Sequence, residues 1–274
     1  MSGTLYLVAT PIGNLDDITL RAINILKGVD FIAAEDTRHS LKLLNHLEIS
    51  KPLISYHRHN EDIKSELLIE KLKDNKNIAL ITDAGTPGIS DPGEENVKQC
   101  IENEIKIVPI PGACAFVNAL ICSGLDTTEF TFLGFLPLNK KNRKEQLEKI
   151  KSCTSTSILY EAPHKLLSTL KDLSQILEDR KIVMARELTK IHEEFVYGTA
   201  TELLGKIENP KGEFVILIEK SNTTKNTSLD YLNNLSLEEH FIFYQEQGLS
   251  KNEIIKKIAK DRKVNKNDVY KNFL

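Results

Sequence analysis

The chain has 274 residues, of which 41% are hydrophobic and 27% charged, with a formal net charge of -3 and no tryptophan. That size and balance fit a globular protein of two ordinary domains and exclude a chain that attracts a polyanion through its overall field. Apolar runs such as FVILI are far short of the roughly 20 residues that cross a bilayer, so no membrane association is expected.

The charge is unevenly placed. Residues 250–274 carry eight Lys/Arg against three Asp/Glu, a local +5 that leaves -8 for the remainder. Binding to a nucleic acid would therefore use a patch. The segment MSGTLYLVATPIGN enters a strand-like pattern without the basic and then apolar stretch of a signal peptide, which predicts a cytoplasmic location. Cys100, Cys114, Cys122 and Cys153 form no CxxC pair, and their apolar surroundings predict reduced, buried thiols and no metal site.

Short β-branched runs alternate with helix-length amphipathic segments along the first half: LYLVAT, a helix over 19–27, FIAAED, a helix over 61–73, NIALIT, a helix over 93–102, and KIVPIPG. That is α/β order with a mainly parallel sheet, and ligands of such sheets sit at strand C-terminal ends. After PGACAFVNALICSGL, a loop and a small-residue helix, the pattern restarts with FTFLGFL, TSILYEA, IVMAREL, EEFVYGT and EFVILIE. Helices separate only some of these, so a mixed or mainly antiparallel sheet is expected. The predicted division is an α/β domain over 1–117, a second over 118–220, a polar linker over 221–229 and a helix-turn-helix-like extension over 230–274. Its last helices open at Ser250 and near Lys266.

Four stretches carry chemistry. TPIGNLDDIT ends the first strand in a Pro-x-Gly turn that admits close backbone approach, with Asp16 or Asp17 available to cap the next helix. AAEDTRHS places four ionisable residues just past an apolar strand; a helix cap at Asp36 or Thr37 and a local ion pair with Arg38 account for some of them, and a cleft for the rest. SYHRHNED sets His57, Arg58, His59 and Glu61 in one run, where a neutral histidine is suited to accept a hydroxyl proton.

DAGTPGISDPG, residues 83–93, is the fourth. It is tight and rigid and contains no lysine or arginine, and the chain has neither GxxxxGK[ST] nor GxGxxG. What it offers with the preceding Thr82 is backbone groups, the hydroxyls of Thr82, Thr86 and Ser90 and the carboxylates of Asp83 and Asp91. That surface suits a ligand with hydroxyls and a positive centre but no phosphate.

Taken in order, LYLVATPIGNLDDIT, AAEDTRHS, HNE, TDAGTPGISDPG, PIPGACA, FLGFLP, YEAPHK, ARELTK and GEFVILIE closely resemble the tetrapyrrole methylase superfamily, and within it the members that methylate small-subunit ribosomal RNA. The resemblance runs from about residue 4 to residue 220, and the terminal helices resemble a small extension found on many members. It implies a tetrapyrrole methylase-like fold of two α/β domains, a homodimer, and S-adenosyl-L-methionine in the interdomain cleft. The implied reaction is methyl transfer to the ribose 2′-hydroxyl of a cytidine in the decoding region of 16S rRNA, on free rRNA or the 30S subunit.

Matched motif by motif, the resemblance implies cofactor contacts at Pro11, Ile12 and Gly13, at Gly85, Thr86, Pro87 and Ile89, at Gly112 and Ala113, at Tyr160 and Glu161, at Ala185 and Arg186, and at Glu213. Ala113 and Cys114 stand where proline and serine are common, and Lys165 where arginine is usual. In-line methyl transfer gains much from positioning, and Glu35, Asp36, His57 and His59 are the candidates to accept the hydroxyl proton. Arg38 and Arg58 are candidates for RNA phosphates, as are the KKNRK run (140–144) and the terminal helices. The same fold acting on a tetrapyrrole or a protein side chain, and a non-catalytic RNA-binding protein, are the alternatives.

Overall fold

Strand Ile78–Ile81 (β4) is buried at all four positions and lies at the centre of a parallel sheet. Its partners are Thr4–Val8 (β1), Phe31–Ala34 (β2), Leu53–Ser55 (β3) and Lys106–Ile110 (β5), in the order β3-β2-β4-β1-β5. The two-residue period of a strand sends Ile78 and Leu80 to one face and Ala79 and Ile81 to the other. On the first face they pack with Leu68 and Leu72 of Glu61–Lys73 (α3) and Cys100 of Glu94–Glu102 (α4). On the second they meet Leu26 of Leu20–Gly28 (α1) and Leu44 of Thr37–His46 (α2). Coverage of both faces is why these strands read as unbroken apolar runs. The computed structural model that gives this architecture describes residues 2–177, 179–221, 232, 235–262 and 264–273.

The second sheet is mixed. Phe130–Phe135 (β6) pairs in parallel with Thr156–Glu161 (β7), and Ile182–Arg186 (β8), Glu194–Gly198 (β9) and Phe214–Ile218 (β10) join antiparallel, in the order β6-β7-β10-β8-β9. One face is covered by Leu166, Leu170 and Leu173 of Pro163–Ile176 (α7), by Leu203 of Ala200–Lys206 (α8) and by Ile150 of Lys140–Ser152 (α6). The other receives Ala119 and Leu120 of Ala115–Ile121 (α5).

The chain divides into two compact units, Met1–Lys220 and Ser221–Leu274. The second contains Leu237–Gln245 (α9), Lys251–Asp261 (α10), Lys266–Tyr270 (α11) and a closing 3-10 turn, around Tyr244, Ile254, Ile255, Ile258 and Val269. Ser236 and Ser250 form capping boxes with Glu239 and Glu253. Arg262 ties this unit together, donating to the carbonyls of Leu232, Leu235 and Ser236 and to His240 Nδ1. The linker expected over 221–229 lies, apart from Ser221, outside the described residues.

Two local expectations are corrected and one strand is added. Asp16 and Asp17 do not cap α1; Thr19 does, through Ala22 N–H, while Asn14 caps the preceding 3-10 turn. β3 carried no sequence signal because it is three half-buried residues at a sheet edge. The cysteines are free, but only Cys100 is buried, and Cys122 is exposed.

Among the described residues no helix is long and apolar enough to cross a membrane.

Candidate active site

The loops that follow β1, β4 and β5 leave the sheet at the same edge and are tied to one another. Thr10 and Gly85 exchange backbone hydrogen bonds of 2.9 and 3.1 Å, Thr10 Oγ1 donates to the Thr82 carbonyl, and Thr86 Oγ1 donates to the Ala113 carbonyl at 3.1 Å. Gly85 sits at φ +86, a conformation natural to glycine. A Cβ on Gly112 would lie 2.8 Å from Ala9 Cβ, so that crossing of β1 and the β5 loop requires glycine.

Where these loops face β7, β8 and β10 there is a cavity of about 570 Å³. Its wall includes five carboxylates, Glu35, Asp83, Asp91, Glu161 and Glu213, and neither lysine nor arginine. Tyr160 and Phe135 supply an aromatic side, with Tyr160 packed edge-on to Phe132 and Phe135 and its hydroxyl accepting the Phe116 N–H. Burial pushes the Tyr160 hydroxyl above its ordinary pKa, so it stays neutral.

The acids differ in what they are free to do. Glu35 Oε2 accepts the Thr82 hydroxyl at 2.8 Å, and Asp83 Oδ1 accepts the Asp36 N–H at 3.1 Å. Glu161 is 3% exposed and both its oxygens are committed, one to Ala162 N–H at the start of α7 and the other to Thr169 Oγ1. Asp91 is raised to about 6, first by burial and then by the Glu35 charge, with Thr82 and Arg58 acting the other way.

Of the residues matched by motif, Ile12, Gly85, Thr86, Ile89, Tyr160, Glu161, Ala185 and Glu213 line the cavity. Pro11, Gly13, Pro87, Gly112 and Ala113 lie on the same loops without lining it. Gly13 instead abuts the 189–190 turn, where an added Cβ would lie 2.4 Å from Lys190 Cγ. The Arg186 guanidinium donates to the Lys211 carbonyl and pairs with Glu194 at 3.5 Å, so it is held by β9 and the loop before β10.

Of the candidate proton acceptors, only Glu35 lines the cavity. Asp36 caps α2 by accepting Arg38 N–H and also binds the exposed Arg38 guanidinium at 3.2 Å; those hydrogen bonds hold its carboxyl below its ordinary pKa. His57 Nε2 meets Asn60 Nδ2 at 3.1 Å, and His59 is exposed beside it. Arg58 donates to the Ser90 carbonyl. In the KKNRK run, Arg143 turns inward to Asp172 and Thr169, leaving the lysines as the exposed charges. Phe135 and Leu188 escaped the sequence reading, which took Asp91 only as part of the loop's carboxylate surface.

Two α/β sheets with an acidic cavity at their strand ends define a methylase-type fold. Diphthine synthase has a similar crystal structure, with a TM-score of 0.64, 15% identity and coverage of 80% of this chain and 91% of that one. Residues 4–204 match the family of Tetrapyrrole (Corrin/Porphyrin) Methylases. The chain is 48% identical to the ribosomal RNA small subunit methyltransferase I of Halalkalibacterium halodurans, over 98% of this chain and 93% of that protein. It is 48% identical to the protein of the same name from Bacillus subtilis, with the same coverage. The chain therefore belongs to the tetrapyrrole methylase family, among the ribosomal RNA small subunit methyltransferase I proteins.

Proposed function

We propose that the protein transfers a methyl group from S-adenosyl-L-methionine to the ribose 2′-hydroxyl of a cytidine in the decoding region of small-subunit rRNA. It is an S-adenosylmethionine-dependent methyltransferase. The observation that carries the reading is the cavity wall: five carboxylates and neither lysine nor arginine suit a donor that carries its own cationic sulfur and ammonium and has no phosphate. S-adenosylmethionine supplies, when bound, an electrophilic methyl carbon on a positively charged sulfur.

The residues present fit that donor. Ile12, Ile89, Ala185 and Tyr160 offer apolar and aromatic surface, the loop over 85–89 offers backbone groups, and Glu213 offers a carboxylate to a ribose hydroxyl or an ammonium. We assign Pro11, Gly13, Pro87, Gly112 and Ala113 to shaping these loops. Glu161 and Arg186 hold the second sheet's edge. We keep the end of the first domain at 117, within α5, whose Ala119 and Leu120 pack with the second sheet.

An acidic cavity repels an RNA backbone, so the phosphates need cations outside it. Arg38 and Arg58 are exposed next to the acid-bearing loops. Lys140, Lys141 and Lys144 on α6 are further cations of the first unit for RNA phosphates, and the lysines of α10 and α11 are those of the second unit. Support for a homodimer comes from the exposed apolar side chains Val117, Ile121, Phe130 and Tyr197, the last bonded to the Cys122 carbonyl. The site of action is the cytoplasm, where the substrate is made.

Methyl incorporation from labelled donor into 30S subunits from a strain lacking the modification, compared with naked rRNA and tetrapyrrole precursors, tests the assignment. Label on a cytidine ribose is expected. Label confined to a tetrapyrrole overturns it.

A further inference from the structure

Asp91 belongs to a turn of the cavity that three other elements hold. Ser90, just before it, has φ +66, a left-handed conformation that costs a non-glycine residue free energy and persists only where surrounding contacts impose it. Those contacts come from three elements. Arg58, past β3, donates to the Ser90 carbonyl. Glu61 of α3 accepts the Gly93 N–H at 2.9 Å, and its Oε1 also accepts the hydroxyl of the buried Tyr56. Gly134, at a bulge in β6, stands so close that a Cβ there would lie 3.3 Å from Ser90 Oγ. Pro92 further restricts the Asp91 backbone.

The other acids of the wall each have a partner, Glu213 pairing with the Lys190 ammonium at 3.3 Å. Glu35 holds the Thr82 hydroxyl, Asp83 holds the Asp36 N–H, and Glu161 is closed off by Ala162 and Thr169. The Thr82 hydroxyl also bears on Asp91 but is donated to Glu35. Asp91 is a half-buried carboxylate of the wall that shares the Thr82 hydroxyl with Glu35 and takes no part in closing a helix or loop, so it faces the cavity with capacity for an incoming donor.

We propose that Asp91 is the catalytic residue that accepts the proton of the substrate hydroxyl. The proposal rests on the 2′-O-methylation reading above. As the 2′-oxygen bonds the methyl carbon, the carbon–sulfur bond breaks with its electron pair kept by sulfur, and the hydroxyl proton passes to an Asp91 carboxylate oxygen and then to solvent.

The groups that face Asp91 set when it can do this. Glu35 at the end of β2 and Asp83 after β4 oppose its ionisation, Arg58 and Thr82 favour it, and Tyr160 of β7 remains neutral. The carboxylate titrates at about 6, ionised at neutral pH yet far more basic than an exposed aspartate.

The test uses the full-length protein labelled with carboxyl-¹³C aspartate, together with single-turnover methylation of 30S subunits at saturating donor. One aspartate resonance should titrate near pH 6, vanish in Asp91→Asn and move to lower pH in Glu35→Gln. Asp91→Asn should slow methyl transfer on the order of 100-fold and flatten the rise in rate through pH 6, while binding S-adenosylhomocysteine within about threefold of wild type. Asp91→Glu, which keeps the carboxylate, should recover part of the rate and guards against a misfolded variant. A wild type that methylates while Asp91→Asn keeps pace overturns the assignment alone. A wild type that labels neither 30S subunits nor rRNA overturns the rRNA reading and this assignment with it.

Discussion

Thr82 Oγ1 donates a 2.8 Å hydrogen bond to Glu35 Oε2, joining the ends of two adjacent parallel strands across 47 residues of sequence. The bond fixes the Glu35 carboxylate at the sheet edge, where it lines the cavity together with Asp91. Thr82→Val keeps the shape and removes the donor. It should cost about 1–2 kcal/mol in urea unfolding, and Thr82→Ser should restore most of that.

Asp91 also makes stability depend on pH. Its folded pKa is raised from 3.8 to about 6. Below the lower value both states hold the proton and nothing changes; between the two the folded state retains a proton that the unfolded state has released, so stability falls as pH rises. Asp91→Asn should therefore match wild type near pH 4 and exceed it above pH 6, by on the order of 1 kcal/mol after allowing for solvent screening. Melting temperatures across that range report the difference, and a gain that is the same at both ends would argue against it.

Gly112 meets Ala9 where β1 and the β5 loop cross, with no flexible side chain to move aside. Gly112→Ala should destabilise the protein by about 1–3 kcal/mol and weaken S-adenosylhomocysteine binding measured by calorimetry. Gly205→Ala, in open space on α8, provides a control with unchanged binding.

Glu161 is a buried carboxylate that accepts the Ala162 N–H just before α7 and holds Thr169, which in turn receives Arg143 Nη2 at 2.9 Å. Glu161→Ala leaves the Thr169 hydroxyl and the Ala162 N–H without their acceptor. A loss of about 3 kcal/mol in denaturant unfolding is expected. Little change would mean that solvent replaces the carboxylate.

Lys256, Lys260 and Lys266 are exposed on the C-terminal helices, whereas Arg262 is consumed inside that unit. Converting the three lysines to glutamine should weaken RNA binding and reduce the slope of log affinity against log salt by about 2–3. Arg262→Gln should instead lower the helicity of the C-terminal unit. An unchanged salt slope for the triple variant removes these helices from the RNA surface.

Much of the architecture was legible before folding was considered. The run NIALIT marked a fully buried central strand, and 61–73 matched α3 from end to end. α10 opens at Ser250 as the sequence indicated, because helix caps are local chemistry. The absence of lysine and arginine from DAGTPGISDPG already pointed to a ligand without phosphate. Only the tertiary structure decided which acids are available. Asp36 and Asp91 are alike in sequence, but one is used up by the helix it starts and the other is held open by Arg58, Glu61 and the β6 bulge. Hydrophobic periodicity fixes which face of an element is buried. The pairing of donors with acceptors, and the desolvation that raises one carboxylate above another, depend on groups brought together from strands far apart in the chain.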